Sequence, residues 1–282
     1  MPRDVTFEVP VDTSMFTPLG LQPRKLLSIG MSAWARWSRE YLVPFPALVR
    51  EHLTSLVVTG LEIEFPEPLG FFDADLIEAK VAVQARRRGI SLHMSMDCTA
   101  GTRLAARMKA VCVPVLIQDA QSLSAVPGRL PGPLLQRFRA DEIISQRPPR
   151  RVQEELRALG AGSPDFEEKT SFTVHRDMCE VADQWSYIEV PGIVAPGREG
   201  MSLDPPPGLD ALRAGISGPP IRFDAEIRRP FYVFDSGMVI SKAYVRPSRV
   251  VFVHELWNGT DDDRPNAMVI EQFGTAGQLD LG

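Results

Sequence analysis

Apolar and polar residues alternate along much of the chain, and a period of two predicts strands. TFEVPVD (Thr6 to Asp12) and SFTVHRD (Ser171 to Asp177) read as two such opening strands. ISLHMSM sets Ile90, Leu92, Met94 and Met96 against Ser91, His93 and Ser95, which puts His93 on the polar face of its strand. His254 follows Phe252 in the apolar run VVFVHELW and can instead face inward. KAVCVPVLI (Lys109 to Ile117) and NAMVIEQF (Asn266 to Phe273) read as closing strands. Helical spacing shows at Trp34, Trp37 and Tyr41, which form one apolar stripe. WSREYLVP and WSYIEVP each run to a proline, Pro44 and Pro191, and a proline cannot continue a helix, so each is expected to end one.

These segments come in the same order twice. FDADLIEAKVAV (Phe72 to Val83) is echoed by FDSGMVISKAYV (Phe234 to Val245), and LEIEFPEP (Leu61 to Pro68) by DAEIRRP (Asp224 to Pro230). Strand, helix and a run of strands, performed twice, predict a duplicated α+β domain. We place the first unit at residues 1–140, a linker at 141–168 with a short amphipathic helix through Val152, Leu156 and Leu159, and the second unit at 169–282. The Phe of each echoed phrase is expected to begin equivalent strands. The prolines and glycines of SLDPPPGLDALRAGISGPP are expected to break regular structure between Met201 and Pro220, as a surface loop or a lid. One helix followed by antiparallel strands packs economically when the sheet curls around the helix, and two copies can pair edge to edge as one sheet.

Composition excludes several roles. The 282 residues are 44% hydrophobic and 24% charged, with net charge −5 from 31 basic and 36 acidic residues mixed along the chain. No basic stripe is present to meet a phosphate backbone, so nucleic acid is not an expected partner. MPRDVTFEVPVD lacks a secretory pattern and no apolar run approaches the roughly 18 residues of a membrane span, from which a cytoplasmic address is expected. Three cysteines (Cys98, Cys112, Cys179) without a C-x-x-C pair suggest buried thiols, with neither a disulfide framework nor a metal site.

ARWSREYL (Ala35 to Leu42) followed by LVVTGLEIEFPEPLGFFDADLIEAKVAV resembles the hotdog-fold thioesterases of the 4-hydroxybenzoyl-CoA and acyl-carrier-protein type. PGRLPGPLLQRF (Pro127 to Phe138) is similar to the end of such a domain. The resemblance covers about residues 5–140, and residues 170–273 mainly through the repeat. It implies a double hotdog, a sheet wrapped around a central helix in each half, and thioester ligands on coenzyme A or acyl carrier protein. It implies no cofactor. Hydrolysis or acyl transfer is the expected chemistry, in specialised (polyketide) or fatty-acid metabolism; a dehydratase or isomerase, or a non-catalytic binding module, are the alternatives. An internal pair is expected to exist as a monomer or weak dimer.

Thioester chemistry asks for a polarised carbonyl and a carboxylate acting as nucleophile or base. SIGMSAW places Gly30 at the expected start of the first helix, where Ser28 or Ser32 caps the helix or touches the ligand. In the resembled enzymes the carboxylate lies about six residues beyond the opening strand's valine, which gives Glu180 from Val174 and Met15 from Val9. The segment HRDMCEVADQWSY supplies His175, Asp177, Glu180, Asp183 and Tyr187, against Asp12 alone in the first half. Candidate catalytic residues are therefore Glu180, Asp177, Tyr187 and His175, and candidate substrate contacts are Gly30, Ser32 and Asp183. His175 with an acid would serve a dehydratase. The family's Gly-His-Val-Asn-Asn and Asp-x-x-Gly signatures are absent from both halves, and the dehydratase phrase His-x-x-x-Gly-x-x-x-x-Pro does not occur.

Overall fold

The computed structural model describes residues 3–86, 88–119, 123–145, 151–160, 162–259 and 263–275; the outer ends of both expected units and part of the expected linker lie outside them. The long strands are β1 (Asp4–Pro10), β2 (Thr54–Glu64), β3 (Leu76–Arg86), β4 (Ser91–Ala100), β5 (Arg103–Ile117), β6 (Phe166–Thr173), β7 (Pro220–Ile227), β8 (Ser236–Arg246), β9 (Arg249–Asn258) and β10 (Ala267–Gly274). The main helices are α1 (Pro23–Tyr41), α2 (Phe45–His52), α3 (Arg151–Leu159) and α4 (Val190–Leu203). All ten strands join one antiparallel sheet in the order β1-β3-β4-β5-β2-β7-β10-β9-β8-β6, with two short strands added at Ala125–Pro127 and Ile143–Ile144. The first five strands wrap α1 and the last five wrap α4. This is the duplicated α+β domain that the alternation and the repeat predict, in the double-hotdog arrangement that the resemblance implies.

Alternation sets the inner face. Along β3, Ile77, Ala79, Val81, Val83 and Ala85 are fully buried, while their neighbours face outward. Opposite them α1 buries Leu26, Leu27, Ile29, Ala33, Trp34 and Trp37. Trp34 and Trp37 of the stripe are core, as the spacing implies, Tyr41 is half-buried against them, and Trp37 Nε1 donates to Arg3 O at 3.1 Å. Pro23 opens α1 at a position where the missing N–H costs nothing. The linker helix α3 lies on the outer face, where Val152, Leu156 and Leu159 pack on Val251, Val253, Met268 and Ile270.

The halves are related by ladder register. Val11 N donates to Asp75 O and Val174 N donates to Asp235 O, both at 2.9 Å, which makes these pairs counterparts. Continuing inward, Val81 faces Met96, which faces Met108; Ser241 faces His254, which faces Val269. The trace ends on Glu62 and Asp224, counterparts that lie opposite each other where β2 pairs with β7. A local two-fold axis passes through that pair, and this seam satisfies one sheet edge of each half.

Three readings of the repeat need correction. Phe72 and Phe234 both lie in turns, and the strands begin at Leu76 and Ser236. The Phe-Asp echo is displaced by two residues from the structural match, a shift that leaves every side chain on its own face because the strand period is two. WSYIEVP begins a helix and does not end one: the Ser186 side chain accepts from Ile188 N, and Pro191 sits at the start of α4, where proline is tolerated. The segment from Met201 to Pro220 is not a loop throughout. α4 runs to Leu203, a 3-10 turn follows at Asp210–Arg213 and a short helix at Ala214–Ser217, and Leu212 and Ala214 are core partners of Phe252.

Candidate functional site

Where β6 ends, His175 heads a 3-10 turn (Arg176–Met178) and the chain then forms a small hairpin. Cys179 bridges to Trp185, Glu180 N donates to Gln184 O at 2.7 Å, and Asp183 takes the positive-φ turn position at 53°. The hairpin is pinned to the body by Trp185 N donating to Phe231 O at 2.9 Å and by the Trp185 ring edge-on to Phe231. A 3-10 turn at Tyr187–Glu189 leads directly into α4. Local structure thus delivers Glu180, Ser186 and Tyr187 to the N-terminal end of the second central helix.

Their electrostatics differ. Ser186 Oγ donates to Glu180 Oε1 at 3.0 Å. Glu180 is open to water on one side and packed on the other; burial raises its carboxyl above the ordinary value, and the Ser186 bond partly offsets the rise. Tyr187 is buried, and desolvation, with Cys112 and Glu180 close by, pushes its phenol far up. Cys112, from β5 of the first half, is pushed up to about 12 by burial and by Glu180. Tyr187 and Cys112 are therefore neutral, and Glu180 is the acid of this trio, its carboxyl raised by burial. Across the halves, Arg24 Nη2 of α1 pairs with Glu189 Oε2 at 2.6 Å. A Cβ at Gly192, in the first turn of α4, would meet nothing within 4 Å, so that helix end is sterically open.

Asp183 N donates to Glu180 O at 3.0 Å within the hairpin, but the side chains of the other predicted residues make no hydrogen bond or ion pair with Glu180 among the described residues. Asp183 is exposed and pairs with Arg176 Nη1 at 2.8 Å, a contact within the hairpin. Asp177 is exposed, with no hydrogen bond or ion pair among the described residues. The His175 imidazole is exposed and lacks a carboxylate partner among them, so the pairing a dehydratase would need is not formed. Asp12 is the counterpart of His175, and not of Asp177; it caps the turn Thr13–Met15 by accepting from Ser14 N at 2.7 Å. Met15 likewise matches Met178, each closing its 3-10 turn, and Thr17 is the counterpart of Glu180. Gly30 lies well inside α1 and not at its start: a Cβ there would come within 2.7 Å of Met108 Sδ, so it is a packing glycine. Ser32 is exposed on the same helix, and Ser28 Oγ donates to Arg24 O at 3.2 Å; neither caps α1, because the helix begins upstream at Pro23.

A second polar cluster escaped sequence reasoning. Ser241 Oγ lies 2.8 Å from His254 Nδ1, and His254 Nε2 lies 3.2 Å from Glu271 Oε2. Arg198 of α4 grips Glu271 with Nη1 at 2.7 Å from Oε1 and 2.9 Å from Oε2. Ser241, His254 and Glu271 are buried on three neighbouring strands. Burial alone would raise Glu271, but Arg198 and His254 hold its carboxyl below the ordinary value. The available signal was a lone acid in NAMVIEQF and a lone histidine in VVFVHELW.

Two clefts lie elsewhere. One of about 470 Å³ is bordered by Ser171, Met238 and Trp257, and one of about 240 Å³ lies at the seam beside Glu62, Lys109 and Arg151. Both are open troughs on the outer face of the sheet, and Glu180 borders neither. Among the described residues no group of three His, Cys, Asp or Glu side chains is placed to hold a metal ion, and no helix is long and apolar enough to cross a membrane.

No family model and no curated protein matches the sequence. Solved structures do match over nearly the whole chain. One is a protein of Lactobacillus plantarum provisionally named an oleoyl thioesterase (TM-score 0.73, 11% identity, 97% of this chain and 96% of that one). Others are the 12:0-ACP thioesterase from Umbellularia californica (TM-score 0.67, 9% identity, 96% and 94%) and an acyl-ACP thioesterase from Bacteroides thetaiotaomicron (TM-score 0.62, 10% identity, 96% and 97%). The chain is thus a double hotdog, similar in fold along its full length to these three.

Proposed function

We propose that the protein acts on acyl groups held as thioesters on coenzyme A or acyl carrier protein, by hydrolysis or acyl transfer. The observation that carries this reading is Glu180: a carboxyl raised by its surroundings, oriented by Ser186, at the open N-terminus of a hotdog central helix. The three full-length structural neighbours are all named as thioesterases, which supports the substrate class. The α4 terminus polarises the thioester carbonyl through its free N–H groups and positive dipole end. Glu180 then takes a proton from water as it adds to the carbonyl and passes that proton to the departing thiolate. In the other route its carboxylate attacks the carbonyl, the thiolate leaves and takes a proton from solvent, and water or an acceptor nucleophile cleaves the resulting anhydride. Tyr187, its phenol held neutral by burial, is not the nucleophile. We also infer a monomer or weak dimer, since the seam already covers the edge a single hotdog would bury, and a second unit that starts with β6 at Phe166.

Incubation with a panel of acyl-CoA and acyl-carrier thioesters, with free thiol and acyl product measured, tests the reading. Glu180→Gln is expected to lower turnover about 100-fold, the scale of losing a general base, with little change in thermal stability. Full turnover in that variant would remove Glu180 from the chemistry, and tight binding without turnover in the parent protein would make it a binding module.

A further inference from the structure

α4 is a poor helix by its own sequence. VPGIVAPGREGMSL carries Gly192, Gly197, Gly200, Pro191 and an internal proline, Pro196. Each interior glycine costs about 1 kcal/mol and an interior proline about 3 kcal/mol relative to alanine, so tertiary contacts must hold this element. In its middle those contacts are not large apolar side chains. Gly197 lets the backbone lie directly on Ser241 Oγ, and a Cβ at Gly200 would come 2.8 Å from the Glu168 carboxylate. Between them Arg198 reaches down to Glu271 and carries its guanidinium over the Phe273 ring at 5.1 Å. Ser202 Oγ ties back to Arg198 O at 2.7 Å. Arg198 is therefore the handle by which the helix is fixed to β10, with His254 and Ser241 extending the chain to β9 and β8.

The first half shows that the fold does not require this arrangement. The counterparts of Ser241, His254 and Glu271 are Val81, Met96 and Ala110, all buried and apolar. Burying charges carries a desolvation penalty that the attraction between them often fails to exceed, so a buried ion pair is weak evidence for added stability and better evidence for a specified geometry. What differs between the halves is that the N-terminus of α4, and not that of α1, adjoins a raised carboxylate.

We propose that Arg198, Glu271, His254 and Ser241 form a positioning device for the reaction, fixing α4 on the sheet so that its first turn stands over Glu180. The inference rests on the reading of Glu180 given above. None of the four touches substrate; they act through the helix. Gly192 lies six residues before Arg198, about 9 Å along the axis at 1.5 Å per residue, so a small tilt at the anchor moves the carbonyl-binding end off its target.

The test replaces the chain with the first half's residues: Ser241→Val, His254→Met and Glu271→Ala, with Arg198→Met so that no charge is left unpaired. Hydrogen exchange of the α4 amides and steady-state kinetics are read on the same protein. The expected result is a folded variant with melting temperature equal to or above the parent's, exchange at residues 192–195 at least tenfold faster, kcat at least tenfold lower and KM within about twofold. Arg198→Lys, which keeps the charge but not the fork, should fall between the two. Unchanged exchange in α4 overturns the proposal whatever the kinetics, as does faster exchange with unchanged kcat. If the parent hydrolyses no thioester in the panel, the reading of Glu180 fails, while the exchange data still decide whether the chain anchors α4. Should the fourfold variant not fold, Glu271→Gln gives the same readouts with an expected threefold change in exchange, and none there is equally fatal.

Discussion

Two central helices lie on the same curled sheet and are held by opposite means. Beneath α1 the inner face is apolar: Val81, Met96 and Ala110 fill three slots, and Gly30 lets the helix settle on Met108. Beneath α4 the same slots hold Ser241, His254 and Glu271, and Arg198 completes a buried ion pair. An apolar contact tolerates sliding, since dispersion is nearly indifferent to small lateral shifts and methionine adapts its shape. A guanidinium nitrogen held between both oxygens of a carboxylate does not, because charge-assisted hydrogen bonds fix its distance and angle. The difference teaches that the hotdog frame sets where a central helix lies, while the choice of inner-face residues sets how tightly its end is aimed.

The largest expected effect breaks the polar side alone. Arg198→Met leaves Glu271 buried without its partner and should destabilise the protein by about 3–5 kcal/mol, read as a lower urea midpoint at unchanged slope. Met108→Leu in the first half should cost under about 1.5 kcal/mol. Equal losses in the two variants would erase the contrast. Next come the paired glycines. Gly197→Ala drives a Cβ into Ser241 Oγ on a strand that cannot retreat, and should cost about 1–3 kcal/mol. Gly30→Ala meets only the flexible end of Met108 and should cost less, with melting temperature as the readout.

The last effect concerns the seam and is read as a pH slope. Burial raises the Asp224 carboxyl from 3.8 to about 7, with Glu62 opposite adding to the rise and Arg222 and Arg151 opposing it. A carboxyl raised on folding binds its proton more tightly in the native state. Its contribution is complete below about pH 4 and is lost as pH rises through 7, so stability should fall by up to about 2.5 kcal/mol between pH 5 and 8. Asp224→Asn should flatten that slope in melting curves taken across the range; a slope the substitution leaves unchanged would assign it to other groups.

Much of the frame was legible because it rests on local periodicity. Alternation marked the strands, and the Trp34, Trp37, Tyr41 stripe marked the first helix. α4 was hidden because its helicity is imposed by packing against propensity: VPGIVAPGREGMSL reads as a breaker. The start of α1 was misplaced for a related reason, since Leu26, Leu27 and Ile29 extend the apolar face upstream of Gly30. Glu180 was chosen by a count that the resemblance supplied, and its neighbours Asp177, Asp183 and His175 are exposed because they build a turn and a hairpin. Ser241, His254 and Glu271 could not be joined from sequence: they meet only through the registers of three strands, which short-range patterns do not encode.

The axis through Glu62 and Asp224 has a consequence for how such a protein can change. In a homodimer of identical hotdogs, any substitution appears at once on both sides, and a residue on the axis must face its own copy. A glutamate there would always confront a glutamate. Covalent fusion frees the two sides from each other: a basic residue, Arg222, stands beside the acid on one strand, while its counterpart on the other strand is Gly60. The same freedom lets one interior stay greasy while the other acquires charge, so a single chain can specialise one active end without altering its twin.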